Sequence, residues 1–252
     1  MATKKLIAFD LDGTLALSKS ALADRMSELL NQLLEKYQVC VISGGKFAQF
    51  EKQILANLHV SPAKLERLHL MPTCGTRYYA YDVAAANWKQ IYAEDFTESQ
   101  KKAIIGALTD TVQELGFDKE KTWGEQMEDR GSQITFSALG QEAPVDAKEA
   151  WDPNTEKKNK IRDLVATRIP EFEVRVGGTT SIDVTKLGID KAYGMNKLKE
   201  LIGLTNEEIL FLGDKLQEGG NDYPVKAMGI DSLEVDKWQD TARVLEGILY
   251  VS

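Results

Sequence analysis

The 252-residue sequence predicts an α/β protein: a doubly wound, mainly parallel core into which a smaller α/β domain is inserted. Three observations carry this. Short apolar runs alternate with amphipathic helical stretches in the first and last thirds of the chain, the pattern of βαβ units. The middle third instead combines two helical stretches with strands that read as an antiparallel pair. Polar residues also gather where the apolar runs stop, as ligand-binding residues do at the carboxyl ends of parallel strands.

The elements follow in order. Leu6–Asp10 reads as a buried strand, because the run is continuously apolar before its acid. Residues 21–37 read as a helix, with Leu22, Met26, Leu29, Leu30, Leu33 and Leu34 on one face. Val39–Ile42 is a second strand, and Phe47–Leu58 a second helix after Ser43-Gly44-Gly45. Leu68–Met71 and Tyr78–Tyr81 are further strands. The insert is read over 85–187, between core segments 1–84 and 188–252. Thr97-Glu98-Ser99-Gln100 is a capping box that opens a helix carrying Ile104, Leu108 and Val112, with Gly116 at its end. Gln133–Leu139 alternates as a strand does, and Pro153–Ile169 is helical. Glu171–Val176 and Thr180–Lys186 form a hairpin around Gly177-Gly178. In the last segment, Lys191–Ile202 is a helix, Ile209–Leu212 a strand and Tyr223–Met228 a helix. Ile230–Val235 reads as an edge strand and Lys237–Ile248 as a final helix.

Composition narrows the function. There are 31 Lys and Arg against 39 Asp and Glu, a formal charge of −8. No basic stripe with interleaved aromatics is present, so a nucleic-acid partner is not expected. Lys157-Lys158-Asn159-Lys160 reads as the solvated face of a helix. Cys40 and Cys74 fit no zinc spacing and no disulfide framework, and read as small buried residues. No apolar run reaches membrane-spanning length, and no leader-like run precedes the first strand. The expectation is a cytoplasmic protein with no membrane partner.

The chemistry sits in Asp10-Leu11-Asp12-Gly13-Thr14, directly after the first strand. Side chains two apart on a strand share a face, which predicts that Asp10 and Asp12 look into one pocket. Three other elements end in polar residues: Ser43 and Gly44 after the second strand, Lys191 at a helix start, and Gly213-Asp214 followed by Gly219-Gly220-Asn221-Asp222. On a parallel sheet these converge on one edge. An acidic pocket with one hydroxyl and one ammonium suits phosphoryl transfer, provided a hard cation such as Mg²⁺ bridges carboxylates and phosphate. Asp10 is then the nucleophile and Asp12 the general acid–base. Asp10, Asp12, Asp214 and Asp222 are the metal candidates, while Ser43, Gly44, Lys191 and Asn221 grip the phosphate.

The order Asp10-x-Asp12-Gly13-Thr14, Ser43, Lys191, Gly213-Asp214, Asn221-Asp222 resembles the haloacid dehalogenase superfamily of phosphotransferases. That resemblance implies a Rossmann-like core, an aspartyl-phosphate, Mg²⁺ and an α/β cap of the IIB type in the insert. A narrower resemblance is to eukaryotic-type phosphomannomutases. It rests on Gly213-Asp214-Lys215, Gly219 to Tyr223, and Gly178-Thr179-Thr180-Ser181-Ile182-Asp183-Val184. It implies that Arg130, Ser181 and Asp183 contact a phosphorylated sugar, and that a homodimer forms through the cap. The sequence departs from that family at Lys19, Gln141 and Lys148, where the family has arginines. Lysine does not replace arginine in bidentate phosphate recognition, and Gln141 carries no charge. A mutase must hold a bisphosphate that turns around, so these departures favour a sugar-phosphate phosphatase. Phosphomannomutase activity is the alternative, and a non-catalytic metal-binding protein of the same fold the second.

Overall fold

The computed structural model describes residues 3–251. The first segment forms β1 (Leu6–Phe9), α1 (Asp24–Lys36), β2 (Gln38–Ile42), α2 (Phe47–Gln53), α3 (Pro62–Leu65), β3 (Leu68–Met71), β4 (Arg77–Asp82) and β5 (Asn87–Ala93). The middle carries α4 (Glu98–Glu114), β6 (Met127–Asp129), β7 (Gln133–Ser137), α5 (Val145–Trp151), α6 (Glu156–Arg168), β8 (Phe172–Val176) and β9 (Ser181–Lys186). The last segment adds α7 (Lys191–Ile202), β10 (Ile209–Gly213), α8 (Tyr223–Ala227), β11 (Asp231–Glu234) and α9 (Trp238–Val251). The chain divides into two compact units. One runs to Ala93 and resumes at Asp190; the other is Glu94–Ile189.

The first unit is built on a seven-stranded sheet in the order β11-β10-β1-β2-β3-β4-β5. The strands from β11 to β3 are parallel, and β4 and β5 are antiparallel additions. Period-2 alternation divides the side chains between two cores. Ile7, Phe9, Val39, Val41, Leu68, Leu70 and Leu212 pack with α1, α2 and α9 on one face. Leu6, Ala8, Cys40, Ile42, Met71, Ile209 and Phe211 pack with α7 and α8 on the other. Burial on both faces is why these strands read as unbroken apolar runs. Each fully buried Phe or Leu here stabilises the fold by about 1.5–3 kcal/mol. The second unit is a four-stranded antiparallel sheet, β6-β7-β9-β8, with its own core. Ile134, Phe136, Ile182 and Val184 meet Ile104, Leu108, Ile161 and Val165 there. No helix among the described residues is long and apolar enough to cross a membrane.

Local chemistry moves several predicted boundaries. The insert does not begin at 85, because residues 87–93 form β5 and pair with β4 in the first unit. At the other end, Gly188 and Ile189 belong to the second unit. The helix expected over 21–37 starts at Asp24, since Leu22 gives its N–H to Gln53 O (2.9 Å) instead of to a helical turn. The helix expected over 47–58 stops at Gln53 and resumes as a 3₁₀ turn at Leu55–Asn57. There the Asn57 amide donates to Lys52 O (2.9 Å) and Gln53 O (3.1 Å), offering those carbonyls a side-chain partner. The capping box at Thr97 and Gln100 is present, and Gly116 ends that helix with φ 72°. β6 and α5 had no predicted counterpart.

His69, on β3, is buried between Tyr78 OH (2.8 Å from Nδ1) and Gln38 Oε1. Burial lowers its pKa from the ordinary 6.5 to about 4. The unfolded chain therefore binds a proton that the fold refuses between those values. Above pH 6.5 the group has no effect on stability. As pH falls from about 6.5 to about 4 it removes stability, by about 3 kcal/mol when complete. Replacing it with glutamine should flatten this part of the pH dependence: the drop in urea midpoint from pH 7 to pH 5 should be smaller in His69→Gln than in the parent.

A buried acidic cluster at the candidate active site

β1 ends at Phe9 and β10 at Gly213, in register at Phe9 and Leu212, so Asp10 and Asp214 leave the sheet side by side. Asp10 stays tied to the sheet by its N–H to Leu212 O (3.0 Å). It follows the alternation of Leu6 and Ala8, which turns its carboxylate to the face covered by α7. Lys191, the first residue of α7, donates its ammonium to Asp10 Oδ1 and to Asp222 Oδ1, the latter at 2.5 Å. All three are shielded from water, with Lys191 at 1%, Asp10 at 4% and Asp222 at 0% exposure. The second oxygen of Asp222 accepts from the Lys215 N–H (3.1 Å). Asp190 caps α7 by accepting from Tyr193 N–H (2.9 Å), which fixes the turn that presents Lys191.

Asp10, Asp214 and Asp222 offer three carboxylate oxygens that all lie within 4.8 Å of one another. Two glycines make that approach possible. A Cβ on Gly13, whose φ is +94°, would stand 2.6 Å from Asp214 Oδ2, and one on Gly213 would stand 2.5 Å from Asp222 Oδ2. Burial is the main influence on Asp10 and raises its pKa from 3.8 to about 7. Lys191 pulls it down, and Asp222 and Asp214 push it up. Asp214 is raised as well, chiefly by burial. Burial alone would lower Lys191, but Asp10 and Asp222 outweigh it and hold the ammonium above its ordinary range. The Lys191 ammonium thus serves Asp10 and Asp222, while Asp214 pairs with the exposed Lys215 at 3.7 Å. Asp214 Oδ1 is buried without a hydrogen-bond partner among the described residues. An all-oxygen, carboxylate-rich set with an unsatisfied acceptor fits a hard divalent cation.

Asp12 lies outside the group of Asp10, Asp214 and Asp222, in which the sequence reads it as a metal candidate. The strand ends at Phe9, and residues 11–16 form a loop in which Gly13 N–H bonds Ala16 O (2.8 Å). Strand alternation therefore does not extend to Asp12. Its carboxylate accepts from Gln49 Nε2 (2.9 Å), Gln53 Nε2 (3.1 Å) and Lys19 N–H (2.8 Å), on the α2 side of the sheet. It is absent from the three-carboxylate group. Ser43 follows β2 and is buried; its hydroxyl accepts from Gly45 N–H (3.3 Å) and its carbonyl from Cys74 N–H (2.9 Å). Gly44 is half-buried beside it. Asn221 is exposed in the loop before α8.

Within the second unit, Ser181 and Asp183 share the face of β9 opposite Ile182 and Val184. Asp183 Oδ1 accepts from Thr135 Oγ1 (2.7 Å), and the Ser181 and Ser137 hydroxyls lie 3.2 Å apart. Gln141 donates to Ser137 Oγ (3.0 Å). Arg130 pairs with Glu128, through Nε at 2.8 Å and Nη2 at 2.6 Å. The residues missed by sequence reading are Gln49, Gln53, Thr135, Ser137 and Glu128. A signal existed for most of them: Gln49 and Gln53 are four apart on one helix, and polar residues fill every second position of β7.

Removing one partner from a buried ion pair leaves an uncompensated charge, at about 3–5 kcal/mol. Lys191→Met should therefore lower the free energy of urea unfolding by that amount. An unchanged midpoint would mean that the ammonium is not the group holding the carboxylates together.

Comparison with known proteins bears on these residues. The model of the eukaryotic phosphomannomutase family matches residues 26–251. A phosphomannomutase of Encephalitozoon cuniculi is 25% identical, over 98% of this chain and 94% of its own. Phosphomannomutase 2 of Dictyostelium discoideum is 26% identical, over 86% and 84% of the two chains. Among solved structures, an IMP-nucleotidase of Plasmodium falciparum superposes with a TM-score of 0.71 at 15% identity, over 99% of this chain and 71% of that one. A haloacid dehalogenase-like hydrolase of Bacteroides thetaiotaomicron gives 0.62 at 17%, over 98% and 100%. These superpositions speak to the fold, whereas the family match spans nine-tenths of the sequence. The chain is an enzyme that belongs to the eukaryotic phosphomannomutase family, with the fold of the haloacid dehalogenase superfamily.

Proposed function

We propose that this enzyme interconverts mannose 1-phosphate and mannose 6-phosphate through a phosphorylated Asp10. The observation that carries the reading is the family match across residues 26–251. It reverses the preference drawn from Lys19, Gln141 and Lys148 alone, which favoured a phosphatase. The geometry of Asp10 supports it. A carboxylate anchored by Lys191 at the end of β1 has one oxygen held and the other available for attack.

In the first half-reaction an Asp10 oxygen forms a bond to one phosphorus of a hexose bisphosphate as the bond from that phosphorus to the sugar oxygen breaks, and Asp12 gives that oxygen its proton, releasing the monophosphate. In the second half the free hydroxyl of a hexose monophosphate attacks the phosphorus on Asp10, Asp12 takes the proton, and the bond to Asp10 breaks, which regenerates a bisphosphate. Ser43, the Gly44 backbone, Lys191 and Asn221 are assigned to the phosphate oxygens. Arg130, Ser181 and Asp183 are assigned to the phosphorylated sugar, and a bound sugar phosphate would compete with Glu128 for Arg130. Asp10, Asp214 and Asp222 would hold Mg²⁺, whose charge would offset that of the phosphate.

A phosphatase remains the second reading on one observation. Gln141 spends its amide on Ser137, and Lys148 donates to Gln141 O (3.2 Å). The resemblance gives both positions to arginines that would hold a second phosphate, and without them water competes for the phosphorylated Asp10.

Incubation with mannose 1-phosphate, Mg²⁺ and a trace of hexose bisphosphate separates the two. Mannose 6-phosphate should dominate, and mostly free phosphate would reject the mutase. Chelation with EDTA should stop turnover, and added Mg²⁺ should restore it. Asp10→Asn should reduce kcat by at least about a thousandfold with the urea midpoint preserved. Retained turnover would remove Asp10 from the nucleophile's role.

A further inference from the structure

We propose that Gln53, together with Gln49, is a positioning residue for Asp12, and that the pair governs proton delivery to the leaving group. The proposal rests on the acid–base reading of Asp12 given above.

Both carboxylate oxygens of Asp12 are held. Oδ1 accepts from Gln53 Nε2 (3.1 Å) and from the Lys19 N–H (2.8 Å), and Oδ2 accepts from Gln49 Nε2 (2.9 Å). A carboxylate fixed at both oxygens cannot swing without releasing a donor. The two glutamines act from one helix, since residues four apart in α2 share a face. Gln53 is itself immobilised: it is 1% exposed, and its amide also donates to Ser20 O (2.8 Å). Lys19 supplies the third donor from a left-handed backbone (φ 56°), a conformation that non-glycine residues rarely adopt.

A second observation concerns the same amide. Gln53 Oε1 is buried with no hydrogen-bond partner among the described residues. Both amide hydrogens of Gln53 are committed, one to Asp12 and one to Ser20 O, so the amide cannot turn without losing both bonds. A methionine of similar length makes neither bond. The pair thus aims Asp12.

Leaving groups distinguish this role from a structural one. A sugar oxygen needs a proton as its bond to phosphorus breaks, whereas a 2,4-dinitrophenolate leaves without one. The measurement is kcat/KM for mannose 1-phosphate and for 2,4-dinitrophenyl phosphate, which reports steps through release of the leaving group. It is made on the full chain with Mg²⁺ for Gln53→Met, Gln49→Met and Asp12→Asn. Gln53→Met should lose about 10- to 100-fold more on the sugar phosphate than on the aryl phosphate. Gln49→Met, on a half-buried side chain, should show the same bias and guards against a folding defect in Gln53→Met. Equal losses on both substrates in the two glutamine variants, with Asp12→Asn still biased, would overturn the positioning role and leave the acid–base reading intact. An unbiased Asp12→Asn would instead remove Asp12 from acid–base catalysis, and this proposal with it.

Discussion

One buried ammonium organises the first unit's chemistry. Lys191 stands between Asp10 and Asp222 in a setting where each charge alone would be strongly unfavourable. The two carboxylates come from different elements, the end of β1 and the entry to α8, and the lysine from the start of α7. Whatever fixes Lys191 therefore fixes the mutual position of three structural elements. The Asp190 cap and the α7 packing residues Met195 and Leu198 do this, so the helix termini matter here as much as the strands. Sheet register contributes the rest, by bringing Asp10 and Asp214 out together.

The charge balance at the cluster explains the direction of its chemistry. Three acids are set against the buried Lys191 and the exposed Lys215, so the cluster is short of positive charge and attractive to a cation. Such a cation reverses the sign that an incoming phosphate would meet. Asp12 is kept out of this group and is held by amide and backbone N–H donors. The two aspartates that are neighbours in sequence thus sit in unlike surroundings, as the proposed roles of nucleophile and proton carrier require.

Sequence reading recovered the parts of this arrangement that follow from strand ends. Asp10, Ser43 and Asp214 were legible because parallel strands deliver their carboxyl ends to one edge, and Lys191 because it opens a helix after Gly188-Ile189-Asp190. The direction of Asp12 was not legible, since the alternation that predicts facing holds only within a strand, and β1 is four residues long. β5 was missed because its mixture of Trp88, Lys89, Gln90 and Ile91 on an exposed edge lacks a clean period, and the insert boundary moved with it. The apolar pattern over 47–58 overextends α2, because the Asn57 side chain competes for helix carbonyls. In the second unit, the alternation that marks Gln133–Leu139 as a strand also marks its polar face, but the strand ends at Ser137, and what Thr135 and Ser137 bond to depends on pairing with β9.

The central place of β1 has a kinetic meaning. Its neighbours are β2, about thirty residues away, and β10, about two hundred residues away. The contact between Asp10 and Lys191 spans 181 residues. During synthesis, β1, β2 and β3 can associate early, but the edge of β1 that belongs to β10 stays open while the whole insert is made. Long-range closure of this kind slows folding and leaves an unpaired apolar strand exposed in the meantime. The insert has a sheet and core of its own and can order itself during that interval. The acidic cluster is thus among the last features to form, and it reports completion of the first unit.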